Sequence, residues 1–440
     1  MLYYSLKKNS PPISFKDAVL LGQAPDGGLY FPENPTEANK QLGGRQGITR
    51  QIVELHPHEF ATQYMLPYVT PELQPDELHQ IIDETLSFPL PLVRVSPQIS
   101  ILELFHGPTM AFKDVGARFM SRCLSRFVGG IGHRVVVLVA TSGDTGGAVA
   151  HGFSETPGVD VVILYPSGKL SQIQERQITE TAANIHPLEV LGNFDDCQRM
   201  VKLAFSDSEL RKNLFLTSAN SINVARWLPQ QLYYLSAYRQ WNSECQLPPV
   251  WCVPSGNFGN MAALLLTVFN GIPARKCLAA CNQNDTVPRF LAGKPYEPMQ
   301  AVATLSNAMD VANPSNFPRI QELFKVTKTE LNSLLNAGSI DDKQTKSAIK
   351  FVFEQFGYLL DPHTAVGWVY LSDYLREHPN DRGILLATAH PSKFPKVYRL
   401  EFGWTPQPIV GLSTESVRTK KSITMPAEYD NLRSWLMQRM

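Results

Sequence analysis

One lysine, two glycine loops and one short polar run have the residue types and spacing to do chemistry. In "HGPTMAFKDVGARFM" Lys113 follows Phe112, and Gly116, Ala117 and Met120 face it at the next turn of an expected helix. Phe112, Val115, Phe119 and Cys123 mark the apolar stripe beside it, while Asp114 and Arg118 form an i,i+4 pair. Small neighbours leave room for something bulky, and burial lowers the pKa of a lysine by disfavouring its charged form. A neutral amine attacks a carbonyl and forms a Schiff base. The bland alternative, commoner for an average lysine, is a side chain that snorkels to water.

The first glycine loop, in "VVVLVATSGDTGGAVAHGF", turns over Thr141–Gly147 between a buried strand and a helix; the second, in "VWCVPSGNFGNMAALLLTVF", carries Gly256 and Gly259. Glycines admit close approach of backbone N–H groups, and the helix that follows presents its positive end. Each loop sits at the C-terminal end of a strand, where open α/β sheets bind ligands. The bland reading of one such loop is a tight turn packed on the next helix; two in one chain favour ligand binding. Neither is G-x-G-x-x-G, and no P-loop pattern occurs, which disfavours dinucleotides and triphosphates. In "SANSINVAR" the side chains of Asn220, Ser221 and Arg226 offer two neutral donors and a guanidinium fork to a phosphate. Pattern alone favours a polar turn there, with Arg226 in water. A Schiff-base lysine and a phosphate loop together suit pyridoxal 5′-phosphate, whose aldehyde and phosphate lie on opposite sides of one ring.

These residues need a scaffold, and the 440-residue chain supplies α/β texture. From Ser100 apolar runs such as "ILELF", "RVVVLVA", "VDVVILY", "VWCVP", "RKCLAAC" and "GILLATA" alternate with helical patterns. Continuous apolar strands between helices indicate parallel sheets covered on both faces. To about residue 95 the chain reads as short strands ("LYYSL", "GGLYF") and helices, with helix starts at Thr70 and near Gln74–Pro75. The region 300–380 reads as mostly helical. Forty basic residues balance forty acidic ones, against a polyanion-binding role, and Lys420–Lys421 is too short for an interaction tail. Six cysteines without a CxxC predict reduced thiols in a cytoplasmic setting. The start has no signal-type apolar region, and no apolar run approaches the ~20 residues of a membrane helix. His56 and His58 lack nearby partner ligands, so no metal is expected. Cys277 and Cys281 read as small buried groups on one strand face, and His106 either touches a cofactor or caps a turn.

The motifs "ELFHGPTMAFKDVGARFM", "ATSGDTGGAVAHGF", "VVILYPSGK", "SANSIN", "VPSGNFGN", "NDTVPRFL", "TLSNAMDV" and "TAHPSKF" stand in the order seen in threonine synthases. The opening "LYYSLKKNSPPISFKDAVLLGQAPDGGLYFP" is similar to that family's N-terminal segment, and the likeness runs to about residue 400. The resemblance implies a fold type II enzyme of the tryptophan synthase β-like group, with pyridoxal 5′-phosphate as cofactor. Its fold would be α/β: two open, mainly parallel twisted sheets covered by helices, plus an extra N-terminal α+β segment. The implied domains are 1–95, a large cofactor-binding domain of 96–133 and 245–440, and a small domain of 134–244. By resemblance Lys113 is the Schiff-base lysine, and Gly256, Asn257, Phe258, Gly259 and Asn260 cradle the cofactor phosphate. Thr388 would face the pyridine nitrogen. Thr141, Ser142, Gly143, Asp144 and Thr145 would take the substrate carboxylate, and Asn220, Ser221 and Arg226 its phosphate. Val224 stands where relatives often carry proline, and Asn260 where some have aspartate. The implied reaction turns O-phospho-L-homoserine and water into L-threonine and phosphate in a cytoplasmic monomer or homodimer, with no nucleic-acid or membrane partner. A phospholyase or dehydratase giving a 2-oxo acid, and a non-catalytic ligand-binding relative, are the alternatives.

Overall fold

The β-branched runs become parallel strands in the computed structural model, which describes residues 1–129, 131–132, 134–245, 247–407, 409 and 421–439. Lys420 of the Lys420–Lys421 pair lies outside them. Two compact units divide the chain: Met1, Phe31–Phe112 and Trp227–Pro408 form the first, and Leu2–Tyr30, Lys113–Arg226 and the described part of Ile409–Met440 the second.

The first unit holds a six-stranded sheet in the order Leu335–Ser339, Lys276–Cys281, Val250–Pro254, Gly383–Ala387, Ile99–Glu103, Leu92–Arg94. All neighbours are parallel except the antiparallel last pair. Val250–Pro254 and Gly383–Ala387 are wholly buried, as continuous apolar runs require of strands covered on both faces. The edge strand Leu335–Ser339 falls where helix was expected; Gly338 is needed there because a Cβ would enter the Tyr370 ring. Cys277 and Cys281 are buried on their strand, as expected. Helix Pro362–Glu377 packs on strands Gly383–Ala387, Val250–Pro254 and Lys276–Cys281, and helix Gly259–Phe269 is almost wholly buried.

The second unit holds a five-stranded, all-parallel sheet in the order Ile423–Pro426, Ile185–Leu191, Val159–Pro166, Arg134–Ala140, Leu214–Thr217. The outer strands of four residues each escaped the sequence reading, being too short to show a pattern. Helix Phe194–Ser206 starts on an Asn193/Asp196 capping box and buries Cys197, Met200, Val201 and Ala204 against this sheet.

The division differs from the expected one. The expected 1–95 domain is split at Tyr30–Phe31, and the lysine helix Lys113–Phe127 belongs to the second unit, not with 245–440. Contacts between residues distant in the sequence explain both. Phe15, in a helix capped by Ser14, meets Phe127 edge-on at 6.0 Å, and the Asn223 amide donates to the Val19 carbonyl at 2.8 Å. Residues 31–95 attach elsewhere: the Tyr68 hydroxyl and the Asn270 amide both donate to the Pro35 carbonyl, each at 2.8 Å. Thr70 ends a helix over Pro57–Val69 instead of starting one, while Gln74 begins Pro75–Thr85 as anticipated, and the structure adds a capping box there. Among the described residues no helix is long and apolar enough to cross a membrane.

The lysine helix lies close to Arg226 because residue 116 has no side chain: a Cβ on Gly116 would sit 2.8 Å from the Arg226 carbonyl oxygen. Gly116→Ala is therefore expected to destabilise the protein by roughly 1–3 kcal/mol, as overpacking does. Gly129→Ala, where a Cβ meets nothing within 4 Å, should stay within about 0.5 kcal/mol of the parent. Urea unfolding midpoints of the two variants check both.

Candidate active site

In the first unit the segment before Lys113 is clamped to the end of strand Gly383–Ala387. The Phe112 N–H donates to the Thr388 carbonyl at 2.9 Å, Ala111 forms an antiparallel bridge with Ala389, and the His390 N–H donates to the Met110 carbonyl at 3.0 Å. The Tyr233 hydroxyl donates to the Phe112 carbonyl. Lys393, fully buried, donates from Nζ to the Thr109 carbonyl at 2.6 Å. The turn reverses at Met110, whose φ of 54° is left-handed. Thr388 thus spends its carbonyl on this clamp. It is 7% exposed, and among the described residues nothing hydrogen-bonds its hydroxyl. Lys113 follows as the first residue of its helix and is half-buried, neither the fully interior nor the solvated lysine of the two sequence readings.

The second glycine loop, also in the first unit, leads from strand Val250–Pro254 into helix Gly259–Phe269. Phe258 turns it at φ 59°. Gly256 has a reason other than ligand approach: a Cβ there would lie 2.5 Å from the Met309 Cα. Asn257 is likewise engaged, its Oδ1 accepting from the Ser315 N–H at 2.6 Å and hydroxyl at 2.8 Å. Asn260 differs. The Tyr234 hydroxyl donates to its Oδ1, while its Nδ2, in a side chain 6% exposed, is buried with no partner. The N–H groups of Gly259, Asn260 and Met261 head the helix and find no carbonyl within it. Orphan donors at the positive end of a helix fit a phosphate group. Tyr234 was missed in the sequence, where it reads only as one more apolar-face aromatic.

In the second unit the first glycine loop is largely satisfied from within. The Thr141 hydroxyl accepts from the N–H of Gly143 at 3.1 Å and of Gly146 at 2.8 Å. Asp144 accepts from the Gln174 amide at 3.0 Å. A Cβ on Gly146 would lie 2.5 Å from Thr141 Cγ2, so that glycine serves packing. Ser142 is exposed and Thr145 half-buried, leaving their hydroxyls presented. Arg226, expected in water by pattern, is 4% exposed and donates to the Ala219 carbonyl. Asn220 and Ser221 are half-buried, and Asn220 Oδ1 is enclosed without a partner. Gly116 brings Arg226 against the helix that Lys113 begins, so the structure does join the arginine to the lysine helix.

Of the remaining candidates, His106 pairs through Nε2 with Glu103 at 2.6 Å, and His58 through Nδ1 with Asp83 at 2.6 Å. His56 precedes Pro57 at a helix start. Among the described residues no group of three or more His, Cys, Asp or Glu could hold a metal ion. The buried Lys393 and the half-buried His390 lie in the quoted motif "TAHPSKF", which was the available signal for the clamp.

Residues 89–388 match the family described as pyridoxal-phosphate dependent enzyme, and residues 2–86 match the threonine synthase N terminus. A threonine synthase of Serratia marcescens is 40% identical over 440 residues, covering 99% of each chain. The crystal structure of threonine synthase from Escherichia coli superposes with a TM-score of 0.91 at 38% identity and complete coverage of both chains. The PLP-bound threonine synthase of Brucella melitensis gives 0.88 at 32%, covering 100% of this chain and 99% of that one.

The clamp has a pH signature. Burial lowers the His390 imidazole to about 4, from about 6.5 in an unfolded chain. Between those values the unfolded chain binds one more proton than the folded one, so stability falls as pH drops through this window. From about pH 7 to about pH 5 the loss should be about 2 kcal/mol. His390→Asn should remove that component, seen as urea midpoints at the two pH values drawing together. Lys393→Met, which removes the buried bond to the Thr109 carbonyl, should cost about 1–3 kcal/mol at either pH.

Proposed function

The chain belongs to the threonine synthases, pyridoxal-phosphate-dependent enzymes, and from that premise we propose that it converts O-phospho-L-homoserine and water into L-threonine and phosphate. It would do so as a monomer or homodimer in the cytoplasm; six free thiols, five of them buried, support a reducing compartment. The observation that carries the reading is the helix head at Gly259–Met261 with the unpartnered amide of Asn260.

In this reading Gly256, Asn257, Phe258, Gly259 and Asn260 form the cofactor phosphate loop, with the bonding done by the helix-head N–H groups and Asn260 Nδ2. Gly256 and Asn257 shape the loop through their contacts with residues 309 and 315. Pyridoxal phosphate, when bound, supplies an aldehyde and a ring that accepts electron density from the substrate. Lys113 would hold that aldehyde, and its amine would take the Cα proton of the substrate. A second proton leaves Cβ, the Cγ–O bond breaks and phosphate departs. The hydroxyl of water bonds to Cβ, and protons return to Cγ and Cα. Ser142 and Thr145 offer hydroxyls to the substrate carboxylate, whereas Thr141, Gly143 and Asp144 keep the loop in shape. Arg226 supplies a fixed cation for the substrate phosphate, with Asn220 and Ser221 as neutral partners. Thr388 presents a neutral hydroxyl to the pyridine nitrogen, which does not enforce its protonation as a carboxylate would.

Purified protein given O-phospho-L-homoserine should release threonine and phosphate in equal amounts. Lys113→Ala should lower the rate by roughly 10²–10⁴-fold or more and abolish covalent capture of the cofactor by borohydride. Release of 2-oxobutanoate with phosphate would replace this reading by a phospholyase. Thr388→Asp should change the visible absorption and raise side reactions; an unaltered spectrum would remove the role assigned to that hydroxyl.

A further inference from the structure

Beside the phosphate loop lies a buried hydrogen-bonded chain to which nothing above gives a task. Asp361, 1% exposed, caps the helix Pro362–Glu377 and accepts from the His363 N–H at 2.9 Å. The same Oδ1 lies 2.8 Å from His363 Nδ1, and Oδ2 accepts from the Thr364 hydroxyl. On its other side His363 accepts, through Nε2, the N–H of Ala308 at 3.2 Å. One ring nitrogen therefore faces a carboxylate and the other a donor, which fixes the neutral tautomer with its proton on Nδ1. The ring is 2% exposed and packs on Phe394, centroids 5.0 Å apart.

Ala308 belongs to the short 3-10 turn Asn307–Met309, and this turn touches the phosphate loop at its tightest point. A Cβ on Gly256 would meet the Met309 Cα at 2.5 Å and the Ala308 carbonyl at 3.2 Å. The far end of the turn is pinned separately. The Asp310 carboxylate accepts from the Thr304 N–H at 3.0 Å, the Thr304 hydroxyl at 2.7 Å and the Asn282 amide at 2.8 Å. Inside the turn, the Ala308 N–H is held by the His363 side chain.

We propose that His363, oriented by Asp361, is a positioning residue for the cofactor-phosphate loop, holding the 307–309 turn against Gly256 so that the loop's donors converge. The proposal rests on the assignment of that loop to the cofactor phosphate. Loss of the Nε2 acceptor frees the Ala308 N–H, lets the turn move off Gly256 and spreads the donors of residues 258–260. The effect falls on the phosphate end of the cofactor and spares recognition of its ring.

The test titrates the full chain, stripped of cofactor, with pyridoxal phosphate and with pyridoxal, which lacks the phosphate. His363→Phe keeps the ring stacking and removes the acceptor. It should weaken pyridoxal phosphate about tenfold, equivalent to roughly 1.4 kcal/mol, and leave pyridoxal unchanged. His363→Gln, whose amide oxygen reaches the Nε2 position, should recover most of the loss. Equal weakening of both ligands, or no rescue by glutamine, overturns the proposal and makes the residue merely structural. Should the phenylalanine variant not fold, Asp361→Asn carries the same comparison. Asn260→Ala separates the two levels: if it weakens pyridoxal phosphate selectively while His363→Phe does not, only the latch fails. If Asn260→Ala has no selective effect, the loop assignment itself fails.

Discussion

The hydrogen bond from the Phe112 N–H to the Thr388 carbonyl, with its neighbours at Ala111 and His390, fixes the backbone that leads to Lys113. Strand Gly383–Ala387 runs between Val250–Pro254 and Ile99–Glu103, the most enclosed place in the first sheet. Anything bonded to its end inherits the rigidity of that core. Residues 109–112 have no regular structure of their own, yet their backbone is held at Thr109, Met110, Ala111 and Phe112. The backbone is thus held as far as Phe112, the residue before Lys113. Burying the Lys393 ammonium beneath the turn is costly for a charged group unless it is hydrogen-bonded, and its bond to Thr109 is part of the same construction.

The two glycine loops look alike in the sequence and differ in their hydrogen-bonding state. In the loop over 141–147 the Thr141 hydroxyl takes up two N–H groups, and the glycine at 146 makes room for that threonine. The loop over 255–260 leaves donors unsatisfied at the head of an apolar helix. A threonine at the first position of one loop and an asparagine at the last of the other account for much of the contrast. The first is a self-capped turn in which Ser142 is exposed and Thr145 half-buried; in the second, Asn260 Nδ2 is buried without a partner among the described residues.

The central strands, the helices and both loops were legible because continuous apolar runs and glycines act locally. The motif likeness singled out Lys113 and the residues of both loops. What escaped depends on distant partners. Gly256 is dictated by Met309, and Gly116 by Arg226, contacts that no local window contains. Arg226 reads as a solvated cap until the Ala219 carbonyl and the lysine helix are seen to enclose it. Strands Leu335–Ser339 and Ile423–Pro426 lie at sheet edges, where short segments carry little pattern. The split at Tyr30–Phe31 has no linker signature, since it is set by where Phe15 and Val19 find partners.

Those partners bear on how the polypeptide matures during synthesis. Val19 waits for Asn223, 204 residues downstream, and the strand Ile185–Leu191 is completed at one edge by Ile423–Pro426 from near the C-terminus. Such long separations slow acquisition of native structure, because loop closure must precede the contacts that reward it. The leading segment emerges from the ribosome far ahead of its anchor, with apolar groups that chaperones can hold. Final consolidation of the second unit thus waits until Ile423–Pro426 has been made.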